Sequence, residues 1–266
     1  MEPLSVNEVK SIELEILDEF VRICSEQGIT YYLGYGTLLG AARHEGFIPW
    51  DDDIDVIMMR EDYERLVAGF DWWRSSDRFS LAFYRDGRSV YPFAKIVDAN
   101  TLVKEDFARK DIATGVWIDV FPLDRVDLSD LRASKRIGRL SLARSFIVAD
   151  PSVGSSFLAK AAKRIVCPVA HRLDAVKYAR LIDESARDAC DRDTGYVAAL
   201  VDDGYPPRPI PDAVFSSVVH LPFEGRSLSV PSGYKELLGL HYGDWKQIPP
   251  EDKRAVHVVE AYRLSR

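Results

Sequence analysis

The chain has 266 residues, of which 47% are hydrophobic and 29% are charged, and its net charge is −7. This composition predicts a folded globular protein with a sizeable core, and it argues against disorder and against general binding to polyanions such as nucleic acid. The first residues carry neither a basic region nor a long apolar stretch, the sequence has no apolar run of about 18 residues, and its three cysteines are widely spaced. We therefore expect a cytoplasmic protein without disulfide bonds.

The first half of the chain alternates helix and strand patterns. Ser5 and Glu8 match a capping box, and apolar residues at helical spacing continue as far as Gly28, a residue type that often ends helices. The elements predicted next are a strand over 29–35, a short helix from about 37 to 46, a strand over 54–59, a helix over 60–70, and strands over 79–85, 91–97, 101–105 and 116–121, the last one ended by Pro122. This alternation predicts an α/β (α+β) fold with a small mixed sheet.

The second half is predicted to be mainly helical before mixed structure returns. Helical patterns cover 131–148 and 156–189, with breaks at Asp150-Pro151 and at Pro168. A rigid proline-rich connector over 205–211, a strand pair around Glu224-Gly225 and a helix over 232–240 follow. We expect three segments: a core over 1–128, a basic helical segment over 129–204 and a C-terminal extension over 205–266 that packs on the core.

Positive charge is concentrated in residues 131–190, which carry twelve Lys and Arg residues against five Asp and Glu residues. Amphipathic basic helices bind anionic membranes, so this stretch predicts a peripheral contact with the inner membrane surface. The same pattern is consistent with a solvated helical face packed on the core, or with basic side chains that contact acidic phosphates. The sequence leaves these interpretations open.

Carboxylates are clustered where the apolar strand over 54–59 begins. Asp53 and Asp55 alternate with apolar residues, so both side chains are expected on one face, about 7 Å apart along the strand. Oxygen ligands in this arrangement favour Mg²⁺ or Mn²⁺, with Asp51 as an additional helper. The alternative is a solvated acidic turn, which the entry of these carboxylates into an apolar strand disfavours.

Two further features suit phosphate chemistry. Gly36 and Thr37 precede a short helix, where backbone amides and one hydroxyl are available to a phosphate group, although the pair is also an ordinary helix start. Asp119 lies in an apolar strand, where a carboxylate is costly unless it is paired or bound to a metal. We expect Asp119 to complete the metal shell or to accept a proton from an attacking hydroxyl; a structural salt bridge is the alternative.

Positive side chains are needed to neutralise a transferred phosphate. Arg43, in the short helix, and Lys95, in an apolar strand, are the candidates, and both could equally serve surface or structural roles. His44 is a further candidate for ligand contact, with helix capping as the alternative. His257 near the C-terminus is a candidate of the same kind.

The stretch 36–56, from the Gly-Thr turn through the aspartates, resembles the LicD family of phosphotransferases, which are relatives of the fukutin enzymes in the nucleotidyltransferase superfamily. The resemblance continues in several later stretches, namely 93–96, 117–124, 221–225, 230–234, 242–245 and 249–250. Residues 130–200 match no pattern of that family. The resemblance therefore covers most of the chain outside the basic segment.

The resemblance implies a nucleotidyltransferase (DNA polymerase β-like) fold for the core, with a helical insertion and a C-terminal extension. It also implies transfer of a phospho-alcohol, such as phosphocholine, from a CDP-linked donor such as CDP-choline to a hydroxyl of a cell-surface or lipid-linked glycan, with release of CMP. The aspartates that bind the metal in the family correspond to Asp53, Asp55 and Asp119, and the phosphate turn corresponds to Gly36 and Thr37.

Two other functions stay open at this point. A nucleotidyltransferase on the same fold would add a nucleoside monophosphate to a small hydroxyl substrate and release pyrophosphate. A non-catalytic scaffold would bind a nucleotide or a partner in glycan assembly without turnover. The presence of Asp53, Asp55 and Asp119 argues against the scaffold, because a site that no longer catalyses a reaction need not keep all three.

Overall fold

A computed structural model describes residues 1–105, 113–153, 157–190, 192–203, 205–251, 254 and 259–264. The helices are α1 (Val6–Gln27), α2 (Tyr35–His44), α3 (Arg60–Trp73), α4 (Arg132–Val148), α5 (Phe157–Ala170), α6 (Ala175–Arg187), α7 (Leu200–Asp203) and α8 (Tyr234–Tyr242). The strands are β1 (Glu2–Pro3), β2 (Tyr32–Leu33), β3 (Asp55–Met59), β4 (Phe79–Ala82), β5 (Ala94–Asp98), β6 (Thr101–Glu105), β7 (Ala113–Thr114), β8 (Trp117–Arg125), β9 (Tyr196–Ala198), β10 (Ile210–Pro211), β11 (Val218–Phe223), β12 (Arg226–Pro231) and β13 (Val259–Arg263).

The main sheet is built around the long strand β8. Strand β3 pairs with β8 in parallel and carries β2 on its other side, whereas β5 and β9 pair with β8 antiparallel and carry β4 and β10. The sheet is therefore mixed, which confirms the predicted combination of helices with a mixed sheet. Its strands come from all three predicted segments, and the division of the chain into those segments stays a prediction.

Helix α1 covers the core as its sequence pattern predicts. Ser5 and Glu8 form the predicted capping box, and the helix ends at Gly28, whose φ of 59° is left-handed. The apolar residues of the predicted stripe are buried, namely Val9, Ile12, Ile16, Phe20 and Cys24. This face packs on β5, β8 and α3. The position of the helix matters for function because its inner face lies beside the two central strands.

Two smaller sheets complete the architecture. Strands β1, β13, β6 and β7 form one of them. Strands β11 and β12 form the predicted hairpin, whose turn residues Glu224 and Gly225 have φ values of 47° and 74°. Two successive positive φ values are typical of a type I′ turn, which matches the twist of the flanking strands. The hairpin contacts α2 and β2, so the C-terminal part of the chain supports the helix whose first turn contains Gly36 and Thr37.

Several predicted boundaries were wrong. The strand predicted over 29–35 is confined to β2, because α2 already begins at Tyr35, and the strand predicted over 79–85 ends at Ala82, before a 3-10 turn.

Two predicted breaks at prolines were wrong as well. Strand β8 runs through Pro122 to Arg125. Partner β5 pairs only as far as Val120 and β9 begins at Asp124, so among the described strands one side of β8 is uncovered at Pro122, where a missing N–H costs no ladder hydrogen bond. Similarly, Pro168 lies within the last turn of α5, and the break between α5 and α6 falls at 171–174.

The described part of the chain contains no helix that is long and apolar enough to cross a membrane. In the basic segment, α4 packs against both α5 and α6. Helix α5 nevertheless leaves large apolar side chains exposed, among them Ile165 at 77% and Val169 at 66% of their full accessibility.

Candidate active site

Three charged side chains are brought together by the register of the central strands. Asp55 on β3 lies directly opposite Asp119 on β8, and Asp119 lies directly opposite Lys95 on β5. Directly opposed residues on neighbouring strands project to the same face, with Cβ atoms about 4.5–5.5 Å apart. Asp53 lies two residues before β3 begins. Folding thus places residues from distant parts of the chain around one point at the sheet surface.

The start of α2 is fastened to the start of β3. The hydroxyl of Thr37 accepts a hydrogen bond from the Asp55 amide at 2.8 Å and donates one to the Asp53 carbonyl at 3.5 Å. The Gly34 amide also donates to the Asp55 carbonyl at 2.9 Å. Thr37 is buried, and these contacts show it holding the backbone between the carboxylates in place. Its predicted contact with phosphate stays a prediction.

Gly36 lies close to the side chain of Asp51. A Cβ atom there would lie 2.5 Å from Oδ2 of Asp51, which is closer than real Cβ contacts. A side chain at residue 36 would therefore require the carboxylate of Asp51 to move. This arrangement leaves Gly36 at the wall of a cavity.

We call that cavity the arginine cavity. It has a volume of about 440 Å³ and is lined by Tyr35, Gly36, Leu39, Arg43, Ile48, Trp50, Asp51, Asp53, Asp55, Tyr242, Asp244, Trp245, Gln247, Pro249 and Arg254. The guanidinium groups of Arg254 and Arg43 lie 4.3 and 5.9 Å from the ring centroid of Trp50. Arg43 also donates to the Trp245 carbonyl at 3.0 Å, which ties α2 to the C-terminal extension. Positive and aromatic groups beside carboxylates suit a nucleotide diphosphate.

A second cavity, the aromatic cavity, meets the first at Asp53 and Asp55. Its volume is about 350 Å³, and its lining is Val9, Glu13, Asp52, Asp53, Asp55, Tyr91, Phe93, Lys95, Val103, Val116, Trp117, Asp119, Phe121 and Asp202. The two shared aspartates form the boundary between a cavity with two arginines and a cavity with four aromatic rings. A group bound at these aspartates would therefore reach into both.

Lys95 and Asp119 form an ion pair in the aromatic cavity. The Lys95 ammonium lies 2.8 Å from Oδ1 of Asp119, and the indole N–H of Trp117 donates to Oδ2 at 3.0 Å. The approach to Oδ1 lacks hydrogen-bond directionality, so this contact is a charge pair rather than a directed hydrogen bond. Lys95 is only 4% exposed, which makes the pair a buried one. In this position Lys95 neutralises Asp119, and its predicted contact with phosphate stays a prediction.

The carboxylates around the shared boundary are crowded. Burial, together with the charges of Asp53 and Asp119, raises the pKa of Asp55 well above its ordinary value. Burial likewise raises the pKa of Asp51. Burial and the charges of Asp53 and Asp52 raise the pKa of Glu13 well above its ordinary value. Each shift reports that additional negative charge is unfavourable at this place, and a bound cation would relieve the repulsion.

The residues fit a dication that is completed by substrate. Within the described residues, no three His, Cys, Asp or Glu side chains converge as a ready metal-binding group. Mg²⁺ is commonly held by one or two carboxylates together with substrate phosphates, rather than by an all-protein cage. Asp53 and Asp55, at the junction of the two cavities, match that pattern. Asp119 is instead engaged in its ion pair with Lys95, and its predicted role as a metal ligand stays a prediction.

The remaining predicted residues are placed as follows. Asp51 and Arg43 line the arginine cavity. His44 accepts a hydrogen bond from Nε of Arg43 at 2.9 Å and is not a lining residue of either cavity. Burial and the charge of Arg43 lower the pKa of His44. His257 falls outside the described residues, so its predicted role stays untested.

Sequence reasoning missed Glu13 and Arg254. Glu13 is 5% exposed and lines the aromatic cavity. A signal was present, because Glu13 follows Ile12 and lies within the apolar stripe of α1, where an unpaired carboxylate is unusual. Arg254 comes from a part of the chain far from the acidic motif, and no local pattern marks it.

Comparison with known proteins places these residues in a recognised domain. A family model described as "LicD/FKTN/FKRP, nucleotidyltransferase domain" matches residues 28–127, a range that includes Asp53, Asp55 and Asp119. A 42-residue stretch, 16% of this chain and 8% of the relative, is 48% identical to human ribitol 5-phosphate transferase FKRP. The chain is 31% identical over 281 aligned residues to the lipopolysaccharide cholinephosphotransferase LicD of Haemophilus influenzae, with 99% of this chain and 100% of the relative covered. Similarity over the full length of both sequences shows that the chain belongs to the LicD family.

Proposed function

We propose that the protein transfers a phospho-alcohol of the phosphocholine type from a CDP-linked donor to a hydroxyl of a cell-surface glycan and releases CMP. The names of the LicD and FKRP relatives support phospho-alcohol transfer as the reaction class. We also propose that the core has the nucleotidyltransferase fold, which agrees with the description of the matching family model.

The observation that carries the proposal is the junction of the arginine and aromatic cavities at Asp53 and Asp55. Displacement at phosphorus requires the attacking and leaving oxygens to lie on opposite sides of the reacting centre. A diphosphate held at the shared aspartates can extend its nucleotide toward Arg43 and Arg254. The aromatic cavity, on the other side of the shared aspartates, then remains open for the alcohol and the acceptor, which do not leave with CMP.

The residues that line the two cavities would have the following roles in the reaction. Arg43, Arg254 and the amides at Gly36 would hold the donor, and Asp119 would accept the proton of the attacking hydroxyl. The bond from the alcohol-bearing phosphorus to the CMP oxygen breaks as the bond to the acceptor oxygen forms. Mg²⁺ or Mn²⁺, held by Asp53, Asp55 and Asp119, would supply neutralisation of the diphosphate charge.

Product analysis tests this proposal. The purified protein, incubated with Mg²⁺, CDP-choline and an acceptor glycan, should release CMP and add phosphocholine to the glycan, as mass spectrometry would show. Asp53→Asn should abolish turnover and leave the thermal unfolding curve cooperative. Asp77→Asn, a fully exposed aspartate outside both cavities, is the matched control and should remain active. A fully active Asp53→Asn enzyme would contradict the proposal. Release of pyrophosphate with nucleotide added to the acceptor would replace it by nucleotidyl transfer.

A membrane contact through residues 131–190 is part of the proposal, because a lipid-linked acceptor would be met at a membrane surface. Its support is the exposure of Ile165 and Val169 on α5, a helix that also carries Lys163 and Arg164. Exposed apolar side chains beside basic ones match the binding of an anionic bilayer surface.

A further inference from the structure

The aromatic cavity is chemically different from the arginine cavity. Its lining contains six carboxylates and a single ammonium, the one on Lys95. The arginine cavity has two guanidinium groups beside four carboxylates. Even with a dication bound between the two cavities, the carboxyl groups of the aromatic cavity outnumber its positive groups. Its occupant should therefore be neutral or, more favourably, positive.

The walls of the aromatic cavity are already suited to a positive group. The Lys95 ammonium lies 4.0 Å from the ring centroid of Trp117, 4.6 Å from that of Tyr91 and 5.6 Å from that of Phe93. Aromatic faces attract cations, and several of them around one point form the kind of cage that binds ammonium and quaternary ammonium groups. The charge of Lys95 itself is balanced by Asp119 at 2.8 Å.

Glu13 has no ion-pair partner among the described residues of this cavity, whereas Asp119 is paired with Lys95. Its Oε2 atom is fully buried and has no hydrogen-bond partner among the described residues. The side chain enters the cavity from α1, whereas Lys95 and Asp119 enter from β5 and β8. A buried polar atom without a partner is costly, and native proteins rarely keep one without a reason. A cationic ligand beside Glu13 would favour the ionised carboxylate and so offset the cost of burying it.

We infer that the aromatic cavity binds the alcohol part of the donor, and that Glu13 makes this site select a cationic amino alcohol over a neutral one. The inference rests on the proposed function, because it takes the donor to be a CDP-linked alcohol. The nucleotide then lies in the arginine cavity, the phosphates lie at Asp53 and Asp55, and the alcohol extends toward Glu13 and the rings. A neutral polyol would bring no positive charge to Glu13 and would gain little from the aromatic walls.

Binding of a matched pair of donors tests the inference. CDP-choline and CDP-3,3-dimethylbutanol have nearly the same shape, but only the first carries a positive charge. In calorimetric titrations with Mg²⁺, the wild-type protein should bind CDP-choline on the order of tenfold more tightly, since desolvated cation–π and carboxylate contacts are lost in the neutral analogue. Glu13→Gln should reduce that ratio to about threefold or less, while the affinity for the neutral analogue stays nearly unchanged.

Two further variants make the result specific. Glu61→Gln, at an exposed position of α3, should keep the wild-type ratio. Tyr91→Leu removes one ring and should lower the ratio without removing a carboxylate. Thermal unfolding checks that each variant is folded. Equal affinity of the wild type for both donors, or an unchanged ratio in folded Glu13→Gln, would overturn the inference.

The experiment also separates this inference from the proposed function. Selective binding of CDP-choline without formation of a phosphocholine-bearing product would support the cation site and refute the transfer reaction. Transfer from both donors with equal affinity would support the reaction and refute the cation site. Failure of both donors to bind would contradict both. Tighter binding of CDP-ribitol than of CDP-choline would assign the cavity to a polyol instead.

Discussion

Replacement of Lys95 by Met probes how the site is held before substrate binds. Met keeps the length and apolar packing of the stem among Tyr91, Phe93 and Trp117, but it removes the ammonium that lies 2.8 Å from Asp119. Breaking a buried ion pair typically costs about 3–5 kcal/mol, because one charge is left without compensation. Asp119 retains the Trp117 N–H and its side chain is 14% exposed, so we expect the lower part of that range, about 3–4 kcal/mol.

Thermal and urea unfolding in the presence of EDTA measure this effect. At about 2–4 °C per kcal/mol for a chain of this size, the melting temperature should fall by roughly 5–15 °C. The double variant Lys95→Met/Asp119→Asn should recover much of the lost stability, because residue 119 then carries no unpaired charge. Lys104→Met, which removes an exposed lysine from β6, is the control and should change stability little. A loss below about 0.5 kcal/mol in Lys95→Met, or no recovery in the double variant, would refute the reasoning.

Three more predictions concern charge and surface. The pKa values of Asp55 and Glu13 are raised in the folded protein, so the folded state binds more protons than the unfolded state. The metal-free protein should therefore lose stability as the pH rises from about 5 to 8. Melting temperatures that rise over this range would contradict the raised pKa values. Arg60 binds the buried Asp124 at 2.7 Å and the buried Asp183 at 2.8 Å, and so joins α3, β8 and α6. Arg60→Met should therefore destabilise the protein by about 3–5 kcal/mol. A loss of stability below about 1 kcal/mol in urea unfolding would contradict this prediction. Vesicles containing anionic lipid should sediment the wild type at low salt, and Ile165→Ser should bind them less; no wild-type binding would rule out the membrane contact.

Local elements of the fold were predictable from the sequence because short-range rules determine them. The capping box at Ser5 and Glu8, the end of α1 at Gly28 and the turn at Glu224-Gly225 depend only on neighbouring residues. The continuation of β8 through Pro122 was not predictable, since it depends on which strands cover each side of β8 at that point. Tertiary context decides whether a proline can be tolerated in a strand.

The candidate site was predicted in part. The Asp-rich motif pointed to Asp53 and Asp55, because carboxylates that enter an apolar strand are costly unless a partner is supplied. The structure places both at the shared boundary of the two cavities, and their metal binding stays a prediction. The pairing of Lys95 with Asp119 depends on the register between β5 and β8, which no local pattern specifies. Glu13 was overlooked because the apolar periodicity of α1 dominates that stretch, although a carboxylate in such a stripe is itself a signal.

Manganese binding tests the central claim most directly, because it reports on the metal site without relying on turnover. In a titration followed by electron paramagnetic resonance, wild-type protein with CDP-choline should bind one Mn²⁺ ion, and binding should weaken strongly without the donor, since substrate phosphates complete the site. Asp53→Asn and Asp55→Asn should each abolish the donor-dependent binding, whereas Asp77→Asn should retain it. Undiminished Mn²⁺ binding in both active-site variants, or no binding by the wild type with donor present, would contradict the account.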